Sequence, residues 1–140
     1  MEQITEFITN HLVLSTLFVV LSGLLIRSML TDLKQGGTSL EASGATLMLN
    51  RENAVMLDIR TAADFSEGHV INAINIPFSE FDRRTADLEK LRDRPVIVCC
   101  KTGTSASQSV ASLKKLGFEK TYRLKGGIEG WKQSNLPLAT

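Results

Sequence analysis

Pro95-Val96-Ile97-Val98-Cys99-Cys100-Lys101-Thr102-Gly103-Thr104-Ser105-Ala106 joins a short apolar, β-branched run to a polar loop that leads into a helix. The run predicts a central strand over Pro95–Cys99, buried on both faces as parallel strands are. Val110, Leu113 and Leu116 fall at helical spacing and Gly117 follows, which predicts a helix over Thr104–Leu116. The same alternation repeats on both sides. Ala54–Ile59 and Ala73–Ile76 are strand candidates, the second ended by Pro77, and Thr121–Leu124 is the last. Between them, Thr61 and Asp64 resemble a capping box for a short helix that Gly68 stops. Ser79 can cap a helix through about Leu91, and helices are expected at about Ser43–Asn50 and from Gly127 to about Gln133. Strand alternating with helix makes the chain α/β: a small, mostly parallel sheet with helices on both faces.

Ligands of such sheets sit beyond the carboxyl ends of the strands, so the residues after PVIVC come first. A thiol there faces the unpaired amides and positive end of the following helix, which favour negative charge on sulfur; the thiolate is the nucleophilic form. Gly103 lets the loop turn so that successive N–H groups form an anion-binding nest, and Lys101 adds a full positive charge. Cys99 is the less suitable of the two thiols, because alternation along the strand turns it into the core. Side-by-side cysteines close almost no loop as a disulfide, and with His11 and His69 distant in sequence they lack zinc-ligand spacing. Reduced thiols fit a reducing compartment.

Length and charge narrow the rest. At 140 residues the chain holds one globular domain, and a net charge of +1 with scattered basic pairs gives no reason to expect nucleic acid. From Phe7 to Ile26 there is no Asp, Glu, Lys or Arg. Twenty helical residues span roughly 30 Å, the thickness of a bilayer core. The segment is apolar all round, and Thr16 with its neighbouring serines can bond back to helix carbonyls. Glu2 and Glu6, and the lack of a small-x-small site after the apolar run, argue against a cleaved signal peptide. The expected organisation is an N-terminal transmembrane anchor over residues 1–34 (span about 7–26), a linker over 35–39, and a domain over 40–138. Arg27 and Lys34 flank only the C-terminal end of the span. By the positive-inside rule they put the N-terminus outside and the domain in the cytoplasm, as a single-pass protein of the inner membrane.

Four segments now carry a resemblance. Cys100-Lys101-Thr102-Gly103-Thr104-Ser105 resembles the rhodanese active-site loop. Leu57-Asp58-Ile59-Arg60-Thr61 with Asp64-Phe65, Glu67-Gly68-His69 through Pro77, and Lys125-Gly126-Gly127-Ile128-Glu129-Gly130-Trp131 resemble three further stretches of single-domain rhodaneses, in the family's order. The resemblance implies a rhodanese-like fold and a sulfurtransferase in which Cys100 carries sulfur and the loop Lys101, Thr102, Gly103, Thr104 and Ser105 binds substrate. Asp58, Arg60 and His69 are implied as structural support of the site, and Gly126 and Gly127 as allowing a close backbone approach near it. No metal or organic cofactor is implied. The partners implied are a small-molecule sulfur donor and a thiol acceptor; the span adds the membrane and leaves a membrane-protein partner open. Ala106 departs from the family, many of whose members have Ser there, so one cap or loop contact is expected to be missing. A phosphatase built on a similar fold needs Cys-x5-Arg, and that sixth position holds Ala106, or Ser105 if counted from Cys99. The runner-up is a membrane-tethered interaction module with little or no catalysis.

Overall fold

The computed structural model describes residues 3, 7, 9–35 and 37–140, and divides them into two compact units, Met1–Lys34 and Gln35–Thr140. Glu2, Glu6 and Gly36, which entered the readings of the anchor and the linker, lie outside the described residues.

Helix α1 covers Leu12–Gln35, and its stretch Leu12–Leu30, in the N-terminal unit, has a mean hydropathy of 2.0 over 19 residues. It is long and apolar enough to cross a membrane, and Val13, Phe18 and Leu25 are exposed along it. Phe7, Thr9 and Asn10 are also helical, His11 forms a turn, and the apolar stretch runs on to Leu30. Arg27 therefore falls within the apolar stretch, and Lys34 lies beyond it. The Thr16 hydroxyl bonds back to the carbonyls of Leu12 and Val13 at 2.9 and 3.0 Å.

The second unit is a five-stranded, wholly parallel sheet in the order β1-β5-β4-β2-β3. Its strands are β1 (Thr38–Leu40), β2 (Val55–Asp58), β3 (Ile74–Asn75), β4 (Val96–Cys99) and β5 (Thr121–Leu124). The helices between them are α2 (Ala42–Arg51), α3 (Ala62–Glu67), α4 (Thr85–Glu89), α5 (Ala106–Lys115) and α6 (Gly127–Gln133). Every residue of β2 and β4 is buried, the apolar ones as strands covered on both faces require and Asp58 in its pairing with Arg60. Alternation sorts these side chains into two layers. Val55, Leu57, Val96 and Val98 pack with Leu88, Val110 and Leu113 on one face. Met56, Ile97 and Leu124 pack with Ala45, Met48 and Trp131 on the other. Each fully buried Leu or Ile contributes about 1.5–3 kcal/mol, and β4 lies at the centre of both layers.

The Thr61 cap is made as expected, its hydroxyl accepting from the N–H of Asp64 at 3.2 Å, and α3 ends at Gly68. Two readings need correction. The helix expected over Ser79–Leu91 is instead a 3-10 turn, Phe78–Glu80, followed by the short α4. Among the residues of this stretch whose burial is described, Phe81, Leu88 and Leu91 are buried, too few to bind one long helix to the sheet. Arg84 fixes the break, donating to the carbonyl of Asn75 at 3.2 Å and to Asp87 at 2.9 Å.

The second correction concerns the expected linker. Thr38 and Ser39 belong to β1, which pairs with β5 at the sheet edge through Thr38↔Tyr122, Ser39↔Arg123 and Leu40↔Leu124. Their exposed side chains left no apolar pattern to read; the ladder, and the bond from Lys125 N–H to Leu40 O at 2.7 Å, make the strand. Gly37 has φ +60°, and a Cβ there would stand 2.7 Å from Val110 Cγ1 and 3.2 Å from Thr121 O. A flexible linker would tolerate Gly37→Ala. The packed edge predicts a loss of about 2 kcal/mol in urea unfolding followed by the fluorescence of Trp131, the left-handed backbone supplying most of the cost.

Candidate active site

Strand β4 brings two adjacent thiols to the carboxyl edge of the sheet and turns them to opposite faces. Cys99, fully buried, packs with Met56, Ile97 and Trp131, whereas Cys100 packs with Val98, Ala106 and Val110 on the other layer. Burial pushes the Cys99 thiol well up from its ordinary range; the negative charges of Asp58 and Cys100 add to this, and Arg60 opposes it. Its Sγ contacts the Cys100 carbonyl at 3.5 Å. Cys99 is thus held as a neutral thiol in apolar surroundings. The Cys100 sulfur, 5% exposed as a residue, accepts the N–H of Gly103 at 2.9 Å as the chain curls over it. An amide pointed at sulfur stabilises negative charge there.

The loop Lys101–Ser105 is mostly exposed. The Thr102 and Thr104 hydroxyls lie 3.2 Å apart. Among the described residues, the N–H groups of Lys101, Thr102, Thr104 and Ser105 have no protein acceptor. The back of the loop is held by α6. Ile128 N–H donates to Cys100 O at 2.8 Å and Glu129 N–H to Lys101 O at 3.2 Å. This approach is open only to glycine: Gly127 has φ +58°, and a Cβ would stand 2.7 Å from Lys101 O and 2.8 Å from Gly103 N. The expected close backbone approach is therefore where the GG pair meets the sulfur loop. Helix α5 starts at Ala106 rather than Thr104; Ser105 precedes it without a side-chain cap, and Ala106 is fully buried.

Asp58 and Arg60 form a buried, forked pair at the end of β2. Arg60 Nε lies 3.0 Å from Oδ1, and its Nη2 2.7 Å from Oδ2. The same guanidinium donates to Asp64 O and Gly68 O at 3.2 and 2.8 Å, fastening both ends of α3. Burial alone would lower the Arg60 pKa, but the hydrogen bond and charge of Asp58 more than offset it and raise it. His69 Nδ1 is 2.8 Å from Phe65 O and its ring stacks on Phe65. Its backbone forms an antiparallel bridge with Ala139. Among the described residues, none of these three side chains bonds to the loop Cys100–Ser105; they brace the segments after β2. The sulfur loop itself is braced by α6.

One group of residues was not anticipated. Arg123 and Lys125, at the end of β5, line a cavity of about 250 Å³ with Ser39, Thr102, Gly103 and Thr104. Arg123 donates to Ser107 Oγ, in the first turn of α5, at 2.8 Å. The available signal was an arginine inside TYRL, a run otherwise legible as a buried strand.

Comparison with known proteins gives concordant matches. Residues 41–134 match the family described as Rhodanese-like domain. The Escherichia coli K12 protein YibN, described as uncharacterized, is 33% identical over 139 residues, 99% of this chain and 97% of its own. The thiosulfate sulfurtransferase GlpE of Glaesserella parasuis is 34% identical over 101 residues, 72% of this chain and 92% of that protein. The crystal structure of a rhodanese-related protein from Thermoplasma volcanium superposes with a TM-score of 0.64 at 30% identity, covering 73% of this chain and 97% of its own.

The state of Cys99 sets an alkaline limit on stability. Its thiol titrates near 9 in the unfolded chain and higher in the folded one, so its contribution is complete below pH 9 and is lost as pH rises above it. Unfolding free energy is expected to fall from about pH 9 upward. In Cys99→Ala the decline should be shallower by up to about 1.4 kcal/mol per pH unit. Urea titrations of both proteins between pH 8 and 10.5 measure this, and parallel curves would refute it.

Proposed function

The chain belongs to the rhodanese-like domain family, and from that premise we propose that it is a sulfurtransferase working through a persulfide on Cys100, tethered to a membrane by α1. The observation that carries the chemistry is the Gly103 N–H directed at Cys100 Sγ at 2.9 Å, on a loop whose other amides are free of protein acceptors among the described residues. The kinship with proteins named thiosulfate sulfurtransferase supports the reaction type. With thiosulfate, the Cys100 thiolate attacks the outer sulfur; the sulfur–sulfur bond breaks and sulfite leaves with its electron pair. A second thiolate, or cyanide, then attacks the terminal sulfur of the cysteine persulfide, and the Cys100 thiolate departs as the leaving group. Amides from Lys101 to Ser105 stabilise the charge on the terminal sulfur. Cys99, buried and protonated, takes no part. The span Leu12–Leu30, with Arg27 near its C-terminal end and Lys34 beyond it, supports an inner-membrane anchor with the domain in the cytoplasm.

The full-length chain in detergent, given thiosulfate and cyanide, should form thiocyanate. Cys100→Ser should reduce the rate to background and Cys99→Ser should largely preserve it. Intact-mass analysis after thiosulfate alone should find one added sulfur, mapped to Cys100. Should wild type and Cys100→Ser be equally inert to thiosulfate and to persulfide donors, the domain is instead a tethered interaction module.

The anchor is tested separately in bacterial cells. The protein should remain with membranes after an alkaline carbonate wash. Added protease should spare the domain in spheroplasts and digest it in inverted vesicles. A mature chain lacking Leu12–Leu30 by mass would mean a cleaved leader and no anchor.

A further inference from the structure

We propose that Arg123 is the specificity-determining residue of an oxyanion subsite beside the sulfur loop, one that binds the charged, non-transferred end of the sulfur donor. This rests on the sulfurtransferase reading and extends it to the class of donor. The register pairs Val98 with Arg123, so the guanidinium stands on the face of the sheet that carries Cys100, as its bond to Ser107 of α5 also requires. The cavity it lines is shared with the loop: Gly103, whose N–H holds the Cys100 sulfur, forms part of its wall, with Thr102 and Thr104 on either side.

The charge in this cavity is unbalanced. Lys125 on the rim is paired with Glu41 at 3.0 Å, both side chains being well exposed. Among the described residues, Arg123 forms no salt bridge; the partner seen is the neutral hydroxyl of Ser107. A half-buried guanidinium without a carboxylate, next to the Thr102–Thr104 hydroxyl pair and to amides with no protein acceptor among the described residues, is complementary to an oxyanion. A volume of about 250 Å³ suits a small group such as a sulfonate or a carboxylate. Sulfane-sulfur donors carry such a group on the side opposite the transferred atom: the sulfonate of thiosulfate, or the carboxylate of a low-molecular-weight thiol persulfide. Anchoring that group would leave the outer sulfur facing the nucleophile.

The test measures sulfur loading of Cys100 in the full-length chain in detergent with three donors: thiosulfate, mercaptopropionate persulfide and the uncharged mercaptoethanol persulfide. Arg123→Gln should raise KM for the charged donors about tenfold, the worth of one charge-assisted bond, with a much smaller effect on kcat and on the uncharged donor. Arg123→Lys should recover part of this. Ser107→Ala, which keeps the guanidinium and removes its tether, should give an intermediate KM. An increase with thiosulfate alone identifies a sulfonate site, and with the carboxylate persulfide alone a carboxylate site. Unchanged KM for every charged donor in Arg123→Gln overturns the proposal. Should wild-type Cys100 load from no donor, the sulfurtransferase reading fails by itself. The subsite is then decided by thermal melting in sulfate. Sulfate should raise the melting temperature of wild type and not of Arg123→Gln, and equal shifts refute the subsite.

Discussion

The site depends on a contact between two stretches of backbone: the start of α6 against the loop that follows β4. Ile128 and Glu129 donate their N–H groups to the carbonyls of Cys100 and Lys101, and Gly127 lies so close beneath them that no side chain fits. In a trans peptide the C=O and the following N–H point in opposite directions. Tying the Cys100 and Lys101 carbonyls to α6 therefore turns the N–H groups of Lys101 and Thr102 away from that helix. One constraint closes the back of the loop and leaves its amides free for an anion. The side chains in the loop matter less to this than the glycines behind it.

The two cysteines show how far position alone decides chemistry. They are covalent neighbours at the end of the same strand, and both are buried. The period of two along β4 sends Cys99 to the layer with Ile97 and Trp131, beside the Asp58 carboxylate, where ionisation is opposed by burial and by charge. Cys100 leaves the strand one residue later, as the chain curls, and its sulfur accepts an amide. Shifting the register of β4 by one residue would exchange these environments. The buried Asp58–Arg60 pair contributes by holding the end of β2, the strand on which the register Asp58↔Cys99 relies.

The parts of the fold legible in the sequence were those whose burial is written in side chains. Val55–Leu57 and VIVC are apolar throughout, Thr61 and Asp64 carry their cap in their own functional groups, and Val110 and Leu113 mark the buried face of α5. Strand β1 was not legible, because Thr38 and Ser39 expose their side chains and are held by a ladder to β5 that involves backbone alone. The segment Ser79–Leu91 misled for the opposite reason: its composition suits a helix, but too few of its residues find the core. The same division runs through the site. The contact of Cys100 with Gly103 follows from their order along one loop, whereas Arg123 comes from a strand 23 positions after Cys100 in the numbering and joins the site only through the parallel pairing of β5 with β4.

That origin of the guanidinium bears on what the loop is able to hold. A phosphate dianion gripped by a cysteine loop calls for an arginine within the loop, forked onto two oxygens at once. Here the corresponding position is Ala106, fully buried in the core, where no basic side chain could be housed without an unpaired charge among Val98, Val110 and Leu113. The cation instead reaches in from β5, and its Nη1 is already engaged by Ser107. Such an arrangement binds an oxyanion from one side and leaves the space above Cys100 to the amides. A tetrahedral phosphate centred over the sulfur would lack its clamp. A donor that places a sulfur atom over Cys100 and its charge some distance away, toward Arg123, would satisfy both halves of the proposed site, and this is the ground for proposing sulfur transfer over phosphoryl transfer on the same fold.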